Sequence, residues 1–339
     1  MRPLALTMLL FTVTAATLTG CGIPLFRRQA VDHYVKGQLL ADRGKVEAAL
    51  KELAKAVQFD PDLSVAHAAM GDIHRKQGNL DEAVGSYQAA CKSDPYAFRP
   101  HYNLAVTYQF LAEAAKALEK IQQNLRLAVQ VYLRALTIEP ADFEANLNLS
   151  ACYFQLGKYD LAEQYCSAAI KINSERPEAY SNLGVIYDAQ NKFYEAIKAY
   201  KDSLEVDTHQ PNLLLNLGST YLRQGRTKQA IRTFRLAAKE DPTLSAPWEQ
   251  IGSGYYHLRE FDEAMEAFRT ALSLDPASAR AHRGVGVVYM SQYILDRSKV
   301  DLREKALAAW HVSLEYEPNQ DDLHQLLQKY AHKAGGPEL

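Results

Sequence analysis

The chain has 339 residues, of which 47% are hydrophobic and 23% are charged, and its formal net charge is −2. That apolar content is ample for a buried core and argues against a disordered chain. Lysine and arginine form no long run, so nucleic-acid binding, which needs a concentrated cationic face, is poorly supported.

Residues 1–22, MRPLALTMLLFTVTAATLTGCG, differ in character from the rest of the chain. One cation, Arg2, precedes an apolar run from Leu4 to about Leu18, and small residues follow, which is the layout of an export signal. The run is short for a membrane-spanning helix. The sequence LTGC at residues 18–21 resembles the lipobox of bacterial lipoproteins, in which the chain is cut before the cysteine and lipid is attached to it.

The lipoprotein resemblance implies a signal peptide at residues 1–20, a lipidated Cys21, and a short tether over residues 21–31. In that family an aspartate after the cysteine directs retention in the inner membrane. Here Gly22 follows, which implies an outer-membrane location facing the periplasm. An ordinary secretory signal with an incidental cysteine, or an uncleaved anchor, is the alternative. One expected partner is therefore the membrane, reached through the lipid anchor.

A unit of two helices is clearest in residues 246–276, APWEQIGSGYYHLREFDEAMEAFRTALSLDP. Spacing of i, i+3, i+4 and i+7 predicts a first helix, marked by Trp248, Ile251, Gly252 and Tyr255. The second helix is marked by Ala264, Phe268 and Ala271, and Pro276 ends the unit. This set resembles the tetratricopeptide repeat (TPR), a helix–turn–helix of about 34 residues.

Similar units follow one another along residues 32–318, and we count eight of them. They close at Pro61, Pro95, Pro140, Ser174, Thr208, Pro242, Pro276 and Pro318. The alanine of the second helix recurs as Ala49, Ala83, Ala128, Ala162, Ala196, Ala230, Ala264 and Ala306. The resemblance implies an all-α fold, a right-handed α-solenoid of about eight repeats, with a capping helix and tail at residues 319–339.

Repeats 3 and 8 contain insertions between their two helices, around AEAAKALEKIQQNL and YILDRSKVD respectively. The first insertion is rich in Ala, Glu, Lys and Leu and has no proline or glycine, which predicts that it extends the hairpin as helix. Such a projection is either a second contact surface or a neutral elaboration.

The sequence lacks the spacings that identify catalytic or metal sites. No H-E-x-x-H, paired C-x-x-C, G-x-S-x-G or P-loop pattern occurs. Four histidines occupy the aromatic slot of Trp248 and are interpreted as packing residues: His33, His67, His101 and His282. We therefore expect no catalytic residue, no metal, no cofactor and no small-molecule substrate, and we predict that the protein is not an enzyme.

Asparagine precedes a first-helix leucine in four consecutive repeats, as Asn103, Asn148, Asn182 and Asn216. The first helices of TPR units line a concave groove, so these amides are expected on or beside that face. They look like the asparagine ladder by which some TPR proteins hold an extended peptide, because an amide has donors and an acceptor for peptide backbone. The alternative is a role in packing, since Asn before Leu-Gly is common in TPR sequences.

Other first-helix residues expected on the groove are Tyr102, Phe154, Val185, Asp188, Leu222, Arg223 and Tyr256. This largely apolar strip suits an extended or helical segment of a partner protein. The sequence thus predicts a lipid-anchored envelope scaffold that binds such a segment and assists assembly or organisation of a membrane or envelope complex. The alternative is an accessory subunit or enzyme of envelope polysaccharide or peptidoglycan processing.

Overall fold

The computed structural model of the chain describes residues 25–331. Within these residues it has seventeen α-helices joined by short turns and no β-strand. The all-α, α-solenoid fold class predicted from the sequence is confirmed. Cys21 and the export signal lie outside the described residues, so the lipidation site stays a prediction.

The chain divides into two compact units, with the boundary after Leu156. The helices of unit 1 are α1 (Leu25–Asp42), α2 (Val46–Phe59), α3 (Ser64–Lys76), α4 (Leu80–Ser93), α5 (Phe98–Ala114), α6 (Leu118–Ile138) and α7 (Phe143–Gln155). Helices α1 to α6 pack as three successive hairpins, and α7 packs on α5 and α6.

Unit 2 contains α8 (Tyr159–Ile172), α9 (Pro177–Ala189), α10 (Phe193–Val206), α11 (Pro211–Arg223), α12 (Thr227–Glu240), α13 (Ala246–His257), α14 (Phe261–Leu274), α15 (Ala279–Leu295), α16 (Val300–Tyr316) and α17 (Asp321–Ala331). Helices α9 to α16 form four hairpins, and α17 packs against α16. First helices of neighbouring hairpins also touch, α9 with α11 and α13 with α15, which places their side chains along a shared face.

The two helices of each of these hairpins pack closely because the first helix has a glycine where the second helix has a large aromatic side chain. A Cβ added at Gly71 would lie 2.7 Å from Cδ1 of the fully buried Tyr87. A Cβ at Gly252 would lie 2.8 Å from Cδ1 of Phe268. The same pairing occurs at Gly184 with Tyr200, Gly218 with Phe234, and Gly286 with Trp310.

The alanines that the repeat pattern places in the second helices are fully buried in all eight repeats. Their small side chains allow close helix contact, while the neighbouring aromatic residues fill the remaining space. The eight alanines that recur in the sequence are therefore core residues.

Two boundaries refine the sequence-based expectations. Helix α1 begins at Leu25, so residues 25–31 of the expected tether are its first two turns. The physical reason is that Ala30 is fully buried, which commits this segment to the packed hairpin. In repeat 3 the insertion lengthens both helices, to Ala114 in α5 and from Leu118 in α6, as its composition predicted.

Helix α17 covers the end of the last hairpin. Leu323 and Leu327 are buried in a cluster with Trp310, while the opposite face of the helix is exposed. The buried guanidinium of Arg303 donates to the backbone oxygens of Tyr330 at 2.9 Å and Ala331 at 3.2 Å. These bonds satisfy carbonyls that the end of a helix leaves without partners, and they place a cation at its negative end.

A buried carboxylate links α1 to α2. Glu52 is bonded by Lys55 at 2.9 Å and by Nδ1 of His33 at 2.7 Å, and Lys36 lies at 3.3 Å. The hydrogen bonds from Lys55 and His33 lower the pKa of Glu52 from 4.5 to about 2. The folded state thus favours the charged form of this side chain.

We expect Gly71→Ala to lower the stability of unit 1 by about 1–3 kcal/mol, because the new methyl group collides with the ring of Tyr87. The ring has little freedom to retreat, since its hydroxyl donates to Asp72 at 2.5 Å. The matched control is Gly85→Ala in the next helix, where nothing lies within 4 Å of an added Cβ. The control should be neutral or stabilising in thermal unfolding. Equal melting temperatures for the two variants would contradict the steric explanation.

Glu52 should make stability pH-dependent in the acid range. A lowered carboxyl pKa contributes stability above the unfolded-state value of about 4.5, and this contribution disappears as the pH falls through the folded value of about 2. The Glu52→Gln variant should therefore melt below wild type at pH 6, and the gap should close between about pH 4.5 and pH 2. Melting curves across this range test it, and a constant gap would contradict it.

Candidate functional site

In unit 1, two of the four predicted amides are used for packing between repeats. Nδ2 of Asn103 on α5 donates to Oδ1 of Asp72 on α3 at 3.1 Å. Nδ2 of Asn148 on α7 donates to the hydroxyl of Tyr102 on α5 at 3.2 Å. Each amide therefore ties its helix to the first helix of the preceding repeat. For these two positions, the packing alternative accounts for the observed bonds.

The aromatic surroundings of these amides are built from stacked rings. Tyr102 is half-buried, with its ring centroid 5.8 Å from Phe98 and 5.9 Å from Tyr132. Burial raises the pKa of the Tyr102 hydroxyl, so this group is a neutral hydrogen-bond partner near pH 7. Phe154, near the end of α7, is also half-buried.

In unit 2, the other two amides line a common cleft of about 400 Å³. We call this the amide cleft; its walls are Ser181, Asn182 and Val185 of α9, Pro211, Asn212, Leu213 and Asn216 of α11, and His209 and Gln210 before α11. Asn216 is exposed and Asn182 half-buried. Among residues 25–331, neither amide is hydrogen-bonded by another side chain or by backbone. Their donors and acceptors are available to a ligand.

Asp188 and Arg223, the two charged residues predicted on the groove, are paired with each other across α9 and α11. Arg223 also donates to the backbone oxygen of Asp188 at 3.2 Å, and its guanidinium lies 5.0 Å from the ring centroid of Phe193. Thr220 donates to Oδ1 of Asp188 at 2.9 Å. This network fixes the two helices at one end of the face that they share.

Val185 and Leu222 have a mixed role. Both are half-buried and pack on the core cluster of Tyr200, Leu217 and Phe234. Val185 also contributes to the wall of the amide cleft. An apolar side chain at such a position stabilises the unit and leaves part of its surface for contact with a ligand.

Tyr256 lies in a different cleft of unit 2, of about 290 Å³, which we call the Tyr256 pocket. Its hydroxyl is 3.0 Å from that of Ser291 on α15, and its ring centroid is 5.9 Å from Phe261. The pocket is completed by His257, Arg259, Ile294 and Leu295. Of these pocket residues, only Tyr256 was predicted from the sequence.

Ser181 and Asn212 of the amide cleft were not predicted from the sequence. Asn212 precedes Asn216 by one helical turn, so the i, i+4 spacing is a signal that identifies it. Ser181 is adjacent to Asn182, and its hydroxyl donates to the backbone oxygen of Glu178 at 2.9 Å. The cleft therefore has polar groups besides its two ladder amides, Asn182 and Asn216.

Burial suppresses the reactivity of two cysteines. It raises the pKa of the Cys91 thiol to about 11 and that of Cys152 to about 12, so both are protonated and weakly nucleophilic near pH 7. In the described part of the chain, no three His, Cys, Asp or Glu side chains are grouped to hold a metal ion. None of its helices combines the length and apolarity that a bilayer-spanning segment needs.

Comparisons with known proteins agree with this architecture. A family model described as "Cilia and flagella-associated protein 70 C-terminal domain" matches residues 27–229, and a model described as "TPR repeat" matches residues 252–292. The C-terminal part of a TPR repeat-containing protein from Cytophaga hutchinsonii superposes with a TM-score of 0.59 at 18% identity, over 75% of this chain and 97% of that one. This similarity establishes the fold.

Two relatives match shorter segments. Superkiller complex protein 3 of Mus musculus is 29% identical over 125 residues, which are 37% of this chain and 7% of that protein. The probable UDP-N-acetylglucosamine–peptide N-acetylglucosaminyltransferase SPINDLY of Hordeum vulgare is 28% identical over 127 residues, 38% of this chain and 13% of that protein. The chain therefore spans a small part of the length of the relatives it matches.

The two groups of amides should respond differently to truncation. Asn103→Ala removes the bond to Asp72 and is expected to cost about 1 kcal/mol of stability. Asn216→Ala removes an exposed side chain and is expected to change stability by less than about 0.5 kcal/mol, because alanine is the better helix former. Urea unfolding monitored by circular dichroism measures both. A cost for Asn216→Ala that matched the cost for Asn103→Ala would place Asn216 in repeat packing.

Proposed function

The chain belongs to the tetratricopeptide-repeat family whose model is described as "Cilia and flagella-associated protein 70 C-terminal domain", and we propose that it is a lipid-anchored scaffold that captures a segment of a partner protein. The TPR architecture is a protein-interaction scaffold. The observation that carries the proposal is the pair of amides, Asn182 and Asn216, that face one cleft without partners among the described residues.

The chemistry of the amide cleft suits an extended peptide. Such a peptide has unpaired N–H and C=O groups at regular intervals, and each carboxamide can donate to one and accept from the other. Because Asn182 and Asn216 lie on neighbouring first helices, they can pair with the backbone at two separated points. Val185, which is half-buried, supplies apolar surface for a side chain of the peptide. Binding through backbone groups makes the cleft tolerant of peptide sequence.

Membrane attachment is the second part of the proposal and is supported by the sequence LTGC at residues 18–21. Lipid on Cys21 would concentrate the repeat array at the membrane surface, where two or more acyl chains anchor a protein stably. In the sequence, Leu25 of helix α1 is four residues after that cysteine, so little chain separates the described helices from the site of lipid attachment. Gly22 supports the outer membrane, facing the periplasm. There the protein would assist assembly or organisation of an envelope complex.

Cross-linking in cells, followed by affinity purification and mass spectrometry, tests the capture. A partner should be recovered with wild type and lost with the Asn182→Ala/Asn216→Ala double variant, while its melting temperature stays unchanged. The matched control is Gln123→Ala/Gln130→Ala, which removes two exposed amides from the second helix α6. The control should retain the partner.

Equal recovery with all three proteins would place partner binding outside the amide cleft. A Cys21→Ser variant in the same experiment tests the anchor separately. It should leave the membrane fraction and lose its capacity to incorporate labelled fatty acid. Retention of both properties by Cys21→Ser would contradict lipid attachment at this residue without affecting the capture result.

A further inference from the structure

The Tyr256 pocket has an apolar interior that the insertion in repeat 8 helps to build. Tyr256 and Phe261 form one wall, and Ile294 and Leu295 form the other. Helix α15 reaches these residues because it is 17 residues long, against 12 for α13. Ile294 is 43% exposed and Leu295 66% exposed, so their apolar surface is open to a ligand.

The rim of the pocket has a positively charged side chain, that of Arg259. Arg259 lines the pocket together with the basic residue His257, and no acidic side chain does. Within residues 25–331, the Arg259 guanidinium forms no ion pair or hydrogen bond with another residue. The rim therefore has an uncompensated positive charge beside an apolar cavity.

The backbone conformation of Arg259 is unusual for an arginine. It lies in the turn between α13 and α14 with φ at 61°, in the left-handed region that favours glycine. The equivalent turns of other hairpins have Gly44, Gly78, Gly157 and Gly225, with φ of 71–79°, and the turn between α9 and α10 has Asn191, a residue type that tolerates this conformation. An arginine here is strained, and such strain clusters at functional positions.

From the pocket, its cationic rim and the strained arginine, we propose that the Tyr256 pocket receives an apolar side chain of the captured segment, and that Arg259 pairs with a carboxylate beside it. The partner is thus an acidic–apolar peptide. This inference rests on the proposed function and adds sequence preference to it, since the amide cleft recognises backbone and the pocket recognises side chains. A guanidinium can bond both oxygens of a carboxylate, which gives this contact direction as well as charge complementarity.

A random peptide library displayed on phage and selected against the full-length protein tests this preference. The selected peptides should contain Leu, Ile or Phe adjacent to Asp or Glu. Fluorescence polarisation of the synthetic peptides should show binding that is weakened about 10-fold or more by Arg259→Gly, through loss of the charged bond. Ile294→Asp should weaken it similarly, by placing a carboxylate in the apolar wall.

Replacing Arg259 with glycine distinguishes a loss of peptide binding from a loss of stability. Arg259→Gly relieves the left-handed backbone, so it should melt at or above the temperature of wild type. Asn191→Gly makes the same change in the turn after α9 and should leave peptide binding intact. Leu274→Asp is the control for Ile294→Asp, because Leu274 is 40% exposed and lies outside the pocket.

An empty selection, peptides without acidic residues, or equal binding to Arg259→Gly and wild type would each overturn the pocket proposal. Peptides that lose affinity for Asn182→Ala/Asn216→Ala but not for Arg259→Gly would overturn it and leave capture in the amide cleft standing. Peptides that depend on Arg259, together with unchanged partner recovery in the Asn182→Ala/Asn216→Ala cells, would support the pocket and contradict the proposed use of the amides.

Discussion

The ring of Tyr87 lies against bare backbone at Gly71, with no space left for a methyl group. The same contact sets the distance between the two helices of hairpins in both units. Because each ring of the second helix packs directly on a glycine of the first helix, the two helices are held in a fixed register. That register determines which first-helix side chains point away from the core. The amides of α9 and α11 lie in the cleft as a consequence of this steric fit, since Gly184 and Gly218, two residues further along, face the rings of Tyr200 and Phe234.

One repeat position serves two purposes in this molecule. In unit 1 the amides of Asn103 and Asn148 bond Asp72 and Tyr102 of the preceding repeat. In unit 2 the same repeat position leaves Asn182 and Asn216 unbonded among the described residues and facing a cleft. For Asn216 the difference comes from the neighbouring first helix, since α9 has Val185 at the repeat position where α3 has Asp72. Repeat proteins can thus change the use of a position by changing the residue one unit away.

The sequence predicted the helices well because their signals are local. Buried alanines, unit-ending prolines and the helical composition of the insertion are each contained within one repeat. The use of the asparagines and the pairing of Asp188 with Arg223 depend on residues 31 to 46 positions apart, which a periodic pattern does not specify. The Tyr256 pocket was missed for a similar reason, since an insertion in the next repeat completes it. Arg259 in place of a turn glycine was the visible signal.

The bonds from Arg303 to the end of α17 have a consequence for how such an array can grow during evolution. Tandem duplication adds a helix pair whose apolar face must meet another apolar face. A pair stacked directly on α17 would meet exposed polar side chains, including Asp321, Gln325 and Gln328. Lengthening therefore favours copies inserted between existing pairs, so that the hairpin of α15 and α16 is inherited together with α17, the helix that covers it.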